Sequence, residues 1–244
     1  MRPLILLSLV LAFAAPFANA EDEVDPAKAL LEQLTALRKA EDADGLAKAV
    51  AEVPEIYKAS ADKSLKGKLC GELGKTVKDK DLGAARLAAV DALVALEDPK
   101  AAWKAMGKML PGPKVEEASE LQLAVVQAGG KLAQSKAVKP LIELGFKAKD
   151  AKVAAAACEA LGGYKDDKRR VMILEELITI GRRTRPGQST EKATSTEARE
   201  RWQAVAPGVV SGLNRISGRS IASFEDWESL YDDYKKRPKE LFVD

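Results

Sequence analysis

The sequence predicts an all-α fold, a short right-handed α-solenoid made of helical hairpins. Alanine, leucine, lysine and glutamate dominate the composition and aromatic residues make up 5% of the chain, which favours helices over strands. Alanine-rich segments recur at offsets of 36 and 32 residues, and a turn and a second apolar helix follow each of them. Self-similarity at such a period is typical of stacked helix pairs.

The first 20 residues have the order of a secretory signal peptide. Arg2 supplies the positive start, an apolar run extends from Leu4 to Ala15, and Ala18 and Ala20 suit the −3 and −1 positions of a cleavage site. A membrane anchor is the alternative, but it needs about 20 apolar residues and this run is shorter. We therefore expect cleavage near Ala20, export to the periplasm or the extracellular space, and no transmembrane anchor.

Charge and composition restrict the function classes. The full chain carries a formal net charge of +2 and contains no histidine. Near-neutrality and export argue against nucleic-acid binding, and the missing histidine excludes Ser-His nucleophile pairs and histidine-ligated zinc. Because nucleotide-binding and catalytic motifs are also absent, we expect no cofactor and no catalysis. A subunit of an envelope enzyme complex and an envelope-polymer binder remain as alternatives.

Residues 21–81 are predicted to form N-terminal helices, either a degenerate repeat or a cap, at about 26–40, 45–58 and 62–77. Residues 21–60 carry five basic and ten acidic side chains, whereas residues 131–186 carry thirteen and seven. Charge is therefore uneven along the mature chain.

Three repeats are predicted at 82–113, 114–149 and 150–185. Their first helices contain the segments 88–93, 124–129 and 156–161, and their second helices span about 99–110, 135–146 and 167–180. Residues 85–93 and 97–102 resemble the HEAT-repeat pattern, in which an alanine-rich A helix ends near an acidic-proline turn and a B helix begins. Residues 136–141 repeat the B-helix pattern well and residues 170–174 more loosely.

The resemblance to HEAT repeats covers residues 82–181 and departs from the pattern at Gly129-Gly130, which interrupts the second A helix, and at the longer third turn. It implies that the hairpins stack into one continuous core and that the B helices line a concave face. A generic helical bundle is the alternative.

Residues 186–244 are predicted to form a loop and a helical cap. The loop covers 186–196, a helix follows at 196–213 with a kink or end at Pro207-Gly208, and a last helix covers 224–236. This ending resembles the tail of bacterial exported HEAT-repeat proteins, where a short turn precedes a Trp-containing helix. The predicted cap uses aromatic side chains over the end of the core, namely Trp202, Phe224, Trp227, Tyr231 and Phe242.

Both cysteines are predicted to be free thiols. Cys158 aligns with the core positions Val90 and Val126, where a small buried thiol fits. Cys70 belongs to an earlier helix pair, and helices spaced about 8–10 Å apart would hold the sulfurs too far from each other for a disulfide.

Aligned B helices place three basic residues, Lys100, Lys136 and Arg169, at one equivalent position in the first helical turn. A row of cations beside free backbone N–H groups could bind an anionic partner, although a solvated edge is the alternative. The next row contains Trp103 and Lys139, which either face the groove or, for Trp103, pack between helices. We therefore predict a monomer that binds a protein partner, and the basic row favours an acidic one.

Overall fold

The computed structural model describes residues 25–187 and 196–243, which form helices and no strand, so the predicted all-α class is confirmed. The predicted signal peptide at 1–20 lies outside these residues, as does 188–195 of the predicted loop. Within the described ranges, none of the helices is both long and apolar enough to cross a membrane. The α-helices there are α1 (Pro26–Lys39), α2 (Ala43–Ala59), α3 (Lys63–Lys78), α4 (Gly83–Ala95), α5 (Pro99–Met106), α6 (Glu120–Leu132), α7 (Ser135–Lys147), α8 (Ala151–Leu161), α9 (Arg170–Thr184), α10 (Thr196–Ser217) and α11 (Phe224–Tyr234).

Most helices begin where a short polar side chain accepts a backbone N–H of the first turn. Ser119 and Gln122 form a reciprocal capping box at the start of α6, and Ser223 opens α11. Such caps satisfy N–H groups that have no partner within the helix. Aspartates do the same at other helices: Asp25 for α1, Asp42 for α2, Asp62 for α3, Asp98 for α5 and Asp150 for α8.

The helices pack in two rows. The even-numbered helices α2, α4, α6, α8 and α10 each pack against the next member of that series. On the other side, α1 packs on α3 and α3 on α5, while α7 packs on α9 and α9 on α11. Consecutive helices connect the two rows, most extensively α1 with α2, α3 with α4, α7 with α8 and α9 with α10. The predicted pairs α4–α5 and α6–α7 contact each other less and α8–α9 least, so the division of residues 82–185 into three hairpins stays a prediction.

Glycines in the even-numbered row mark the closest helix contacts. A Cβ atom on Gly130 would collide with the backbone of Ala160, and one on Gly208 or Gly212 with the backbone of α8. The expected interruption of α6 at Gly129-Gly130 is wrong, as is an end of α10 at Pro207-Gly208, because each helix continues through its glycine. A kink of α10 at Pro207-Gly208 stays a prediction. Close contact with the neighbouring helix stabilises these positions despite their low helix propensity.

The core consists of two apolar clusters. One is formed by helices α1 to α6 and the other by helices α6 to α11 with the C-terminal segment. Trp103 is half-buried, packs against both clusters and lies over Gly129. It therefore acts as a packing residue at the junction between the clusters, which is the alternative that the sequence left open.

Aromatic side chains of α10 and α11 and the C-terminal segment belong to the second cluster or pack against it. Phe224 and Trp227 are buried, and the Trp227 indole N–H donates to Asn214 Oδ1 at 2.9 Å. Trp202 packs edge-on to Phe224 with ring centroids 5.4 Å apart. Tyr231 and Phe242 are half-buried beside the same cluster. The predicted last helix at 224–236 ends slightly earlier, at Tyr234.

Candidate binding groove between helices α7, α9 and α10

A groove of about 790 Å³ lies between α7, the end of α9 and the start of α10. We call it the basic groove, because five cations and one carboxylate are among its lining residues. Those residues are Lys139, Ile142, Glu143, Phe146, Lys147, Arg183, Thr184, Arg185, Pro186, Ala198 and Arg201.

One face of α7 forms the floor of the basic groove. Its contributors recur at helical spacing, since Ile142 and Phe146 lie three and seven residues after Lys139. Both apolar side chains are half-buried and pack against the second core cluster. The floor is therefore apolar and fixed by the core, whereas Lys139 on the same face is exposed.

Two cations of the groove, Lys139 and Arg183, make neither an ion pair nor a hydrogen bond with another group among the described residues. The Arg183 guanidinium lies over the Phe146 ring, with its central carbon 5.2 Å from the ring centroid. A guanidinium that stacks on an aromatic face keeps its in-plane N–H groups available for hydrogen bonds. No acid among the described residues pairs with either side chain, so both contribute positive charge to the groove.

The other three cations are held by groups of the protein itself. Lys147 lies 3.2 Å from Glu143, and Arg185 lies 2.8 Å from Glu228 on α11. Arg201 donates to the backbone oxygens of Ala148 and Lys149 at 2.7 and 3.0 Å. Because those carbonyls follow the end of α7, Arg201 offsets the negative end of that helix and positions the start of α10 beside the groove.

The predicted basic row is less regular than the alignment implied. Helix α9 begins at Arg170 and not near 167, so Arg169 is its N-cap residue rather than a first-turn residue. Lys100 and Lys136 are exposed in the first turns of α5 and α7. We call the surface formed by Lys100, Lys136 and Arg169 the turn edge.

Arg169 is bound to an acid of its own turn. It donates from its backbone N and from two guanidinium nitrogens to the Asp167 carboxylate at 2.8–3.0 Å, and its Nη2 also donates to Ser135 O at 3.1 Å. The hydrogen bonds from Arg169 hold the pKa of Asp167 well below its usual value. The charge of Arg169 is therefore engaged within the fold, and the turn edge keeps only two cations without such a pairing.

The two thiols lie in different core clusters. Cys70 is buried in the first and Cys158 in the second, and no disulfide joins them. Burial raises the pKa of Cys70 to about 11 and that of Cys158 to about 12. Both are therefore protonated packing groups at neutral pH. Across residues 25–187 and 196–243, no cluster of acidic, histidine or cysteine side chains could hold a metal ion.

Of the five predicted contact residues, the structure brings only Lys139 into the basic groove. Sequence alignment of the repeats missed Phe146, Arg183 and Arg201, because they come from three different helices. A partial signal was present, since Arg182 and Arg183 occupy the last turn of α9, where cations are favourable. Comparison of the chain with protein-family models, with curated proteins and with solved structures found no match.

Proposed function

We propose that this chain is an exported scaffold, an α-solenoid of HEAT-like hairpins with an aromatic C-terminal cap, that binds an acidic segment of a partner protein in the basic groove. It carries out no catalysis of its own. The partner contacts the odd-numbered row of helices, which corresponds to the B helices of the repeat pattern.

The packing of the helices supports the scaffold part of this proposal. The even-numbered helices from α2 to α10 pack in series, each against the next, as expected for stacked repeats. The buried Phe224 and Trp227, together with the C-terminal segment, cover the end of the second cluster, as a terminal repeat requires.

The observation that carries the binding part is the pair of uncompensated cations over an apolar floor. Lys139 and Arg183 border Ile142 and Phe146 in a cavity of about 790 Å³, and cavities of about 300–1,000 Å³ are typical of ligand sites. A positive groove attracts a negative partner and favours correct orientation of the encounter.

Affinity capture with two matched double variants tests the proposal. The bait is residues 21–244, immobilised and exposed to the envelope fraction of its own cells. We expect Lys139→Glu with Arg183→Glu to abolish capture of an acidic protein that the unaltered chain retains. Lys100→Glu with Lys136→Glu reverses the same number of exposed charges on the turn edge and should leave capture within about twofold.

The opposite pattern would assign partner binding to the turn edge. Equal capture by both variants would contradict a role for either surface. Circular dichroism of each variant is the control for folding, and all four substituted side chains are exposed, so little loss of stability is expected.

A further inference from the structure

We infer that the basic groove recognises a short extended peptide segment in which two carboxylate side chains, three positions apart, flank large apolar side chains. This inference rests on the proposed function and specifies the ligand that the groove takes. The carboxylates pair with Arg183 and Lys139, and the apolar side chains pack on Ile142 and Phe146.

Arg183 provides the more specific of the two anion contacts. Its position over the Phe146 ring restricts the side chain before the ligand arrives, so less conformational entropy is lost on binding. The planar guanidinium matches a carboxylate with two parallel hydrogen bonds, which a lysine ammonium does not. The planar group is therefore expected to favour a carboxylate of fixed orientation.

Lys139 sets the length of the recognised segment. It precedes Phe146 by seven residues of α7, and at about 1.5 Å per residue the two positions are about 10 Å apart along the helix axis. An extended peptide in the polyproline II conformation has three residues per turn and rises about 3.1 Å per residue, so it covers this distance in about three residues and returns to the same face. The ligand carboxylates are therefore expected at positions i and i+3, with the intervening side chains over Ile142.

The remaining cations of the groove favour anions in general but do not select among them. Lys147, Arg185 and Arg201 already bind Glu143, Glu228 and backbone carbonyls of the protein. Their contribution is a local positive potential that salt screens over about 10 Å. Selectivity for an apolar side chain must therefore come from the floor, and selectivity for carboxylate geometry from Arg183.

Three labelled peptides test the inference by fluorescence anisotropy against residues 21–244 at low ionic strength. Each is ten residues long with Ser and Gly ends, and the central four residues are Glu-Leu-Leu-Glu, Lys-Leu-Leu-Lys or Glu-Ser-Ser-Glu. We expect the first to bind and the other two to bind at least tenfold more weakly. Equal binding of the first and third would overturn the apolar part of the inference, and no binding of the first would overturn the whole.

A conservative variant tests the role of Arg183. Arg183→Lys keeps the charge and removes the planar donor pair, so we expect the Glu-Leu-Leu-Glu peptide to bind about fivefold to tenfold more weakly. Lys136→Gln on the turn edge is the control and should leave the affinity unchanged. Unaltered affinity of the Arg183→Lys variant would overturn the assignment of a carboxylate to Arg183.

The peptide experiment and the affinity capture can fail separately. If the groove double variant loses its partner but the peptides do not bind, the inference about the ligand is wrong and the proposed function stands. If the peptide binds with the expected selectivity but capture is the same for both double variants, the inference about the ligand stands. The proposal that the partner protein binds in the basic groove is then wrong.

Discussion

The turn edge and the basic groove both carry positive side chains. The turn edge takes them from helix starts and the groove mostly from helix ends, although Lys139 of the groove lies only three residues after Lys136 in α7. Lys100 and Lys136 lie in the first turns of α5 and α7, and Arg169 directly precedes α9. The groove instead takes Lys147 and Arg183 from the last turns of α7 and α9.

The difference follows from what each helix end requires. A helix start has unpaired N–H groups, and the sequence supplies acids such as Asp98 and Asp167 that accept from them or lie beside them. Those acids offset nearby cations, as Asp167 does for Arg169. A helix end has unpaired carbonyls, which favour cations. Both surfaces keep two cations without an acid partner among the described residues, so the groove differs from the turn edge in its apolar floor.

The largest effect is expected from a substitution that displaces one wall of the groove. A Cβ on Gly212 would collide with the Cys158 carbonyl of α8, so Gly212→Ala should move α10, which carries Arg201. We expect a loss of about 3 kcal/mol in the free energy of unfolding, measured by urea denaturation. We also expect the Glu-Leu-Leu-Glu peptide to bind more weakly in the groove, whereas the turn edge should be unaffected.

Gly71→Ala is the matched control for the Gly212 substitution. Gly71 lies within α3, and nothing lies within 4 Å of the Cβ that alanine would add. Alanine has the higher helix propensity, so this variant should be more stable by about 0.5–1 kcal/mol. Equal changes in both variants would contradict the assignment of Gly212 to a close helix contact.

A smaller effect is expected at the turn edge from Asp167→Asn, which removes the acid that binds Arg169. We expect this variant to lose about 1 kcal/mol in the free energy of unfolding at pH 7, since the Arg169–Asp167 pair is only partly exposed. The folded protein lowers the Asp167 pKa, so the stabilisation is present above the unfolded carboxyl pKa and is lost as pH falls. The difference in the free energy of unfolding between the variant and the unaltered chain should therefore narrow below about pH 4. Urea denaturation across that pH range would show this. A difference that grows on acidification would contradict this account.

Much of the helical structure could be predicted because the helices follow local rules. The alanine-rich segments at 88–93, 124–129 and 156–161 lie within α4, α6 and α8, and the proline at 99 opens α5 as expected. Helix continuity through Gly130 and Pro207 could not be predicted from local propensity. It depends on contacts with α8, which is distant in sequence.

The candidate site was predicted less well than the fold. Repeat alignment compares equivalent positions on successive hairpins, and it identified Lys139 because α7 itself forms the floor of the groove. Arg183 and Arg201 occupy unlike positions on α9 and α10, so no alignment of repeats places them together. The alignment also treated Arg169 as equivalent to Lys100, whereas the Asp167 turn delays the start of α9.

Lysine footprinting compares the two surfaces most directly in one sample. Lys139, Lys100 and Lys136 are all exposed, so an amine-reactive acetylating reagent should modify each of them in the unbound chain, as read by mass spectrometry. With the captured partner present, the account predicts at least fivefold slower modification of Lys139 and unchanged modification of Lys100 and Lys136. Protection of Lys100 and Lys136 with Lys139 still reactive would contradict the central claim that the partner binds in the basic groove.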